Sequence, residues 1–158
     1  MMQWKGTIPA GQTYEKPVSA FDIYATAAAN SEGVIAPELV EGVDLVPFVT
    51  DKKKGVPHET LFWRSGNHQS VLHKQWKYII SKKENKRWLF DTSIDPTEKN
   101  NLIESHPKEA KKIEDLLEQF NSEQKEPLFP SAFEAPIMID KYDGQEYEEG
   151  DEYIYWSN

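Results

Sequence analysis

The chain has 158 residues, with 18 Lys and Arg against 27 Asp and Glu and a net charge of −9, which argues against nucleic acid or an anionic membrane as principal partner. Its 38% hydrophobic and 12% aromatic content suffices for one ordinary domain with a real core and excludes global disorder. The absence of cysteine excludes disulfides, a thiol nucleophile and cysteinyl zinc or iron–sulfur sites.

No run approaches the roughly 18 apolar residues of a membrane span, and no signal peptide is recognised. The opening Met-Met-Gln-Trp-Lys-Gly reads as the interior of a domain, with a short extended piece expected at Met1–Trp4. Gly6, Pro9, Gly11 and Pro17 make the first 19 residues loop-rich. A helix is expected over 19–31, capped by Ser19, with Asp22 in its first turn and Gly33 ending it. Phe21, Ala25, Ala28 and Ala29 are its expected packing face. Residues 34–58, with Gly42, Pro47, Gly55 and Pro57, read as connecting chain.

A β-rich block follows. Strands are expected at about 60–64, 69–73, 76–81 and 87–91, joined by tight polar turns. Trp76, Tyr78 and Ile80 share one face by the two-residue period. The reading is a small antiparallel sheet with one covered face. The cover is a helix over 107–121. Pro107 suits its first turn, and Ala110, Ile113, Leu117 and Phe120 recur at helical spacing. Lys111, Lys112, Glu114, Asp115 and Glu118 form its expected solvated side. Between sheet and helix, "DPTEKNNL" is a turn that Asp95 can cap, with Glu98 at the position of a capping box. Residues 127–158 read as an extended acidic tail. Between Asp140 and Glu152 it holds seven acids, Asp143 among them, against the one base Lys141. An acidic run of this kind is a solvated surface, and the D-x-[DN]-x-[DN]-G pattern of a calcium loop is absent.

Local motifs for catalysis are missing. There is no G-x-S-x-G elbow, no phosphate-cradling loop, and His58, His68, His73 and His106 form none of the short metal-binding spacings. His106, just before Pro107, is expected as a capping residue. The stretch "FWRSGNHQSV" carries Arg64, one of two arginines, with Ser65, Gly66, Asn67 and His68 in a turn. Arg suits bidentate recognition of a carboxylate, phosphate or sulfate, although a polar hairpin turn is the plainer reading. Trp63 and Trp76 could stack on sugar rings, but in a small sheet both are expected in the core.

In order along the chain, "MQWKGTIPAGQTYEKPVSAFDIYATAAA", "EGVDLVPF", "PHETLFWRSG", "QWKYI" and "WLFDTSIDPTEKNNL" resemble the C-terminal part of the type I, formylglycine-dependent sulfatases of the alkaline-phosphatase-like superfamily. The ending "EYIYWSN" resembles the tails of bacterial members that act on sulfated polysaccharides. The resemblance implies an α+β fold: a four-stranded antiparallel sheet packed by a C-terminal helix, preceded by a loop-and-helix remnant of the catalytic α/β domain. It implies three parts: 1–58 as that remnant, 59–126 as the C-terminal subdomain and 127–158 as the tail. The family's nucleophile is made from the Cys or Ser of a C/S-x-P-x-R motif, which this chain lacks. Its calcium is held by an Asp-Asp pair and an Asp-Asn, neither of which occurs here. No catalytic or metal residue is therefore carried over, and calcium and formylglycine are expected to belong to an upstream part. Where the family has A-V-R-x-G-D-W-K, Leu72 and Gln75 replace its Arg and Asp. The resemblance implies a sulfatase fragment or subunit, inactive alone, with Arg64 and His68 as substrate contacts. Its partner would be the missing catalytic portion or a second copy. A non-catalytic module gripping a sulfated saccharide and an inert remnant are the alternatives. Full-length relatives are expected to be mostly periplasmic or secreted.

Overall fold

The computed structural model describes residues 1–31, 40–126, 128–129, 133–141, 144–146 and 148–157. Gly33, Asp143 and Pro127 lie outside the described residues. The chain divides into two compact units, Met1–Glu59 and Thr60–Asn158.

The first unit holds helix α1, Phe21–Ala29, and helix α2, Val46–Val49. Met1–Trp4 belongs to neither helix nor sheet, and after it the amides of Thr7 and Ile8 both donate to the Trp4 carbonyl, at 3.0 and 2.9 Å, closing a turn. The short α2 falls in the stretch read as connecting chain, where Pro47 occupies its first turn and the Asp44 carboxylate accepts the Val46 amide at 2.9 Å.

Of the face expected on helix α1, only Ala25 is buried. Asp22, Ala25 and Thr26 point inward, whereas Phe21, Ile23 and Tyr24 are exposed. The reason lies in hydrogen bonds rather than in apolar area. Asp22, Thr26 and Asn30 recur every four residues and form a polar stripe that stitches the helix to residues 43–45. Asp22 Oδ1 accepts the Val43 amide at 2.9 Å, Thr26 Oγ1 accepts the Leu45 amide at 3.0 Å, and Asn30 Nδ2 donates to Asp44 Oδ1 at 3.2 Å. Ala20 takes the N-cap position, and Ser19, one residue earlier, accepts the Phe21 amide on its Oγ at 3.4 Å. Its own amide donates to Asp22 Oδ2 at 2.7 Å. Gly42 permits the close approach: a Cβ there would stand 2.2 Å from the Phe21 carbonyl oxygen.

The second unit begins with the four-stranded antiparallel sheet, β1 Thr60–Ser65, β2 His68–His73, β3 Trp76–Ser81 and β4 Lys86–Asp91, in the order β1-β2-β3-β4. Gly66, with φ of 55°, takes the left-handed conformation in the two-residue β1–β2 turn. The pairing Phe62↔Val71↔Tyr78↔Leu89 lays one apolar row across all four strands. On that row packs helix α3, Pro107–Glu123, through Ala110, Ile113 and Leu117, with Val71, Leu89 and Ile113 wholly buried. Phe120 stacks on Phe62 with centroids 4.3 Å apart. Each such buried side chain contributes roughly 1.5–3 kcal/mol.

Glu114, expected on the solvated side of α3, instead accepts the Tyr78 phenol at 3.0 Å and pairs with Arg87 at 3.3 Å. Burial, and then the Glu114 carboxylate, raise the Tyr78 pKa well above its ordinary value, so the phenol stays a donor. His106 occupies the N-cap position but makes no side-chain capping bond; its ring rests against Trp76, 5.3 Å between centroids.

The turn before α3 is built from side chains that imitate backbone. Asp95 Oδ2 accepts the Asn100 amide at 2.8 Å, which helps to hold its carboxyl below the usual carboxylate range. Glu98 forms no capping box and instead receives Lys77 Nζ at 2.6 Å. Asn101 acts as a short extra strand beside β4: Oδ1 accepts the Leu89 amide at 3.0 Å and Nδ2 donates to the Arg87 carbonyl at 3.1 Å.

The segment expected as an extended tail pairs with itself. β5, Glu134–Met138, and β6, Tyr153–Ser157, form a two-stranded antiparallel ribbon. Its acidic connection folds around Lys141, whose Nζ lies 2.8 Å from Asp151 and 3.3 Å from Glu148. The hydrogen bond to Asp151 raises the pKa of Lys141 and lowers that of Asp151. A lone cation among many acids is what allows this loop to close instead of extending.

Gly42→Ala tests the close approach in the first unit. The added methyl meets backbone and cannot be relieved by a rotamer change, so unfolding in urea is expected to show a loss of about 2 kcal/mol or more.

Candidate functional site

Strand register decides how the two expected substrate contacts are placed. Arg64 pairs with Gln69, and Ser65 pairs with His68. Opposed residues share a face and neighbours alternate, so Arg64 and His68 point to opposite faces of the sheet. The structure does not bring them together.

Arg64 lies on the α3 face, beside Gln69, whose Oε1 accepts Asn121 Nδ2 at 2.9 Å. Among the described residues Arg64 has no hydrogen-bond or ion-pair partner, while Arg87 is committed to Glu114. Trp63, expected in the core, projects from the other face and is 46% exposed. Trp76 lies partly buried against the core, as expected.

His68 is only 5% exposed. Its Nε2 is 3.1 Å from the Ser81 hydroxyl, and its ring stacks on Trp156 with centroids 5.1 Å apart. Ser81 Oγ also donates to Glu84, and the other oxygen of Glu84 accepts the Tyr155 amide at 3.0 Å. A His, a Ser and a Glu thus form a connected chain, but not one built for nucleophilic catalysis. The hydroxyl is wholly buried and sits between the ring and the carboxylate, so no base lies behind a reachable nucleophile. The chain's evident work is to latch the β5–β6 ribbon onto the sheet face away from α3. Lys86 adds an ion pair to Glu152 at 3.0 Å, and Lys83 Nζ lies 4.1 Å from the Tyr155 ring centre.

Beside this latch is a shallow cavity of about 440 Å³, lined by Lys83, Lys86, Glu152 and Tyr153 among others. Sequence reading missed Ser81, Glu84 and Trp156. Only the alternation of β3 and the aromatic ending pointed to them, and neither indicates which loop meets which strand. Among the described residues no group of three or more His, Asp or Glu is placed to hold a metal ion.

Burial alone would raise the Glu84 pKa, but bonds from Ser81 and the Tyr155 amide, with the nearby His68, win and hold it below the ordinary 4.5. A carboxyl lowered on folding stabilises above its unfolded pKa, and that contribution is lost as pH falls through the folded value. Glu84→Gln should therefore cost stability at neutral pH, and the gap to the wild type should close progressively below about pH 4.5, measured by urea unfolding at a series of pH values.

No protein-family model matches the chain. By sequence it is similar to the uncharacterized sulfatase YdeN of Escherichia coli (strain K12), 25% identical over 166 residues that cover 80% of this chain and 29% of YdeN. It is also similar to human steryl-sulfatase, 28% identical over 108 residues, covering 67% of this chain and 18% of that protein. Its fold superposes on the crystal structure of Ps i-CgsB with a TM-score of 0.66 at 22% identity, covering 80% of this chain and 29% of that one. The structure of Ps i-CgsB in complex with k-i-k-neocarrahexaose gives 0.65, with the same identity and coverage. The chain spans less than a third of the length of the curated relatives it matches. By sequence the chain is similar to sulfatases, matched over a share of their length in keeping with a C-terminal sulfatase portion.

Proposed function

We propose that this chain works as the C-terminal portion of a sulfatase, a sulfuric ester hydrolase acting on a sulfated carbohydrate or an aryl sulfate, and that it contributes framework and substrate contacts while the reacting groups lie upstream. The observation that carries this reading is its sequence relationship to two sulfatases over under a third of their length. The residues present do not fit the family's nucleophile or calcium. There is no cysteine and no C/S-x-P-x-R, and no three-carboxylate or histidine cluster occurs among the described residues. No chemical step is therefore assigned to this chain.

Its own contribution is recognition. The guanidinium of Arg64, without an ion-pair partner among the described residues, offers a planar donor fork to a sulfate or carboxylate. His68 acts through Trp156, which it supports by stacking. That Ps i-CgsB is known in complex with k-i-k-neocarrahexaose favours a carbohydrate over an aryl sulfate.

The test is reconstitution. The purified chain, mixed with a matching N-terminal sulfatase fragment bearing C/S-x-P-x-R, is expected to yield sulfate-ester hydrolysis that neither piece shows alone. Arg64→Ala in the mixture should raise KM by about 10- to 100-fold, the loss of one charge-assisted contact. A mixture with neither complex nor activity would contradict the reading.

A further inference from the structure

Helix α1 is built inside out. Its inward side is polar, with Asp22 0% and Thr26 5% exposed, while Phe21, Ile23 and Tyr24 on its outward side are 62%, 72% and 64% exposed. A helix at a water surface normally shows the reverse distribution. Charge sharpens the contrast. Residues 18–29 read VSAFDIYATAAA, and their single charged side chain, Asp22, is the buried one. No charge on this stretch is turned to solvent.

The orientation is also fixed. Rolling α1 to bury its aromatics would take the Asp22 carboxylate from the amides of Ser19 and Val43 and from His58, whose Nε2 is 2.8 Å away. It would also take the Thr26 hydroxyl from the Leu45 amide and break the close approach of Gly42 to Phe21. One buried and several part-buried hydrogen bonds therefore hold an apolar face outward, which is the mark of an interaction surface.

We infer that the Phe21–Ile23–Tyr24 face of α1 is the seat of a protein partner, and that the partner is the part of a sulfatase that this chain does not match. The inference rests on the reading under Proposed function and specifies where the two parts meet. More than two thirds of YdeN has no counterpart in this chain, so ample chain is available to cover the face. The face carries no cation for an anionic ligand and no acid for a metal, while an aromatic and aliphatic surface suits the desolvated centre of a protein interface.

The experiment uses the full chain and the N-terminal sulfatase fragment described above, with affinity measured by sedimentation. Ile23→Asp combined with Tyr24→Lys is expected to weaken the complex by about a hundredfold or more. The urea midpoint of the isolated chain should stay unchanged, because both side chains face solvent. Ile94→Lys, at a 78% exposed position in the other unit, should bind like the wild type. Phe21→Ser provides a second variant should the double substitution fail to fold. Equal affinity of the α1 variants and wild type would overturn the proposed face while leaving the sulfatase reading intact. Absence of any wild-type complex would overturn both. A wild-type homodimer that the fragment cannot displace, and that the α1 variants convert to monomer, would give the face to a second copy and overturn the proposal.

Discussion

One buried carboxylate organises the first unit. Asp22 is wholly shielded from solvent and accepts from the Ser19 amide, the Val43 amide and the His58 ring, at 2.7, 2.9 and 2.8 Å. These donors come from "PVSAFDI", "EGVDLVPF" and "PHETLFWRSG", three of the stretches that carry the sulfatase resemblance. A charge this deep is tolerated only where donors surround it, and the removal of one partner leaves the others uncompensated. The constraint propagates outward. It fixes which way α1 faces, demands glycine at position 42, and leaves Phe21, Ile23 and Tyr24 on the surface.

The second unit uses the opposite device. Its sheet is held by an apolar row under α3, and polar side chains enter only where the backbone runs out of partners. Asn101 completes β4, Asp95 closes the turn before the helix, and Glu84 takes the Tyr155 amide at the start of the ribbon latch. The motifs by which the chain resembles its relatives therefore do structural work. Lys77 of "QWKYI" and Glu98 of "DPTEKNNL" meet each other at 2.6 Å. This explains how a resemblance to sulfatases can rest on residues whose contacts are with one another.

The four strands and α3 were legible because two simple periods describe them: alternation in TLFWRS and WKYIIS, and helical spacing from Ala110 to Phe120. The face of α1 was not legible, because apolar spacing assumes that area decides burial, and here hydrogen bonds do. The four-residue recurrence of Asp22, Thr26 and Asn30 is the signal that an apolar count passes over. The ribbon escaped for another reason. Its closure depends on Lys141 meeting Asp151 and Glu148 across a loop, a pairing that the excess of acids conceals. The site was half legible. Arg64 stands out by residue type, but whether it shares a face with His68 depends on the register of one hairpin, and a two-residue Gly66–Asn67 turn places them apart.

The central claim, that Asp22 and His58 form one buried unit on which the first 59 residues depend, is tested most directly by a double-mutant cycle in urea. Asp22→Ala should cost about 3–5 kcal/mol, and the double variant with His58→Ala should lose at least about 1 kcal/mol less than the sum of the two single losses. Additive losses, or an Asp22→Ala variant within about 0.5 kcal/mol of wild type, would contradict the account.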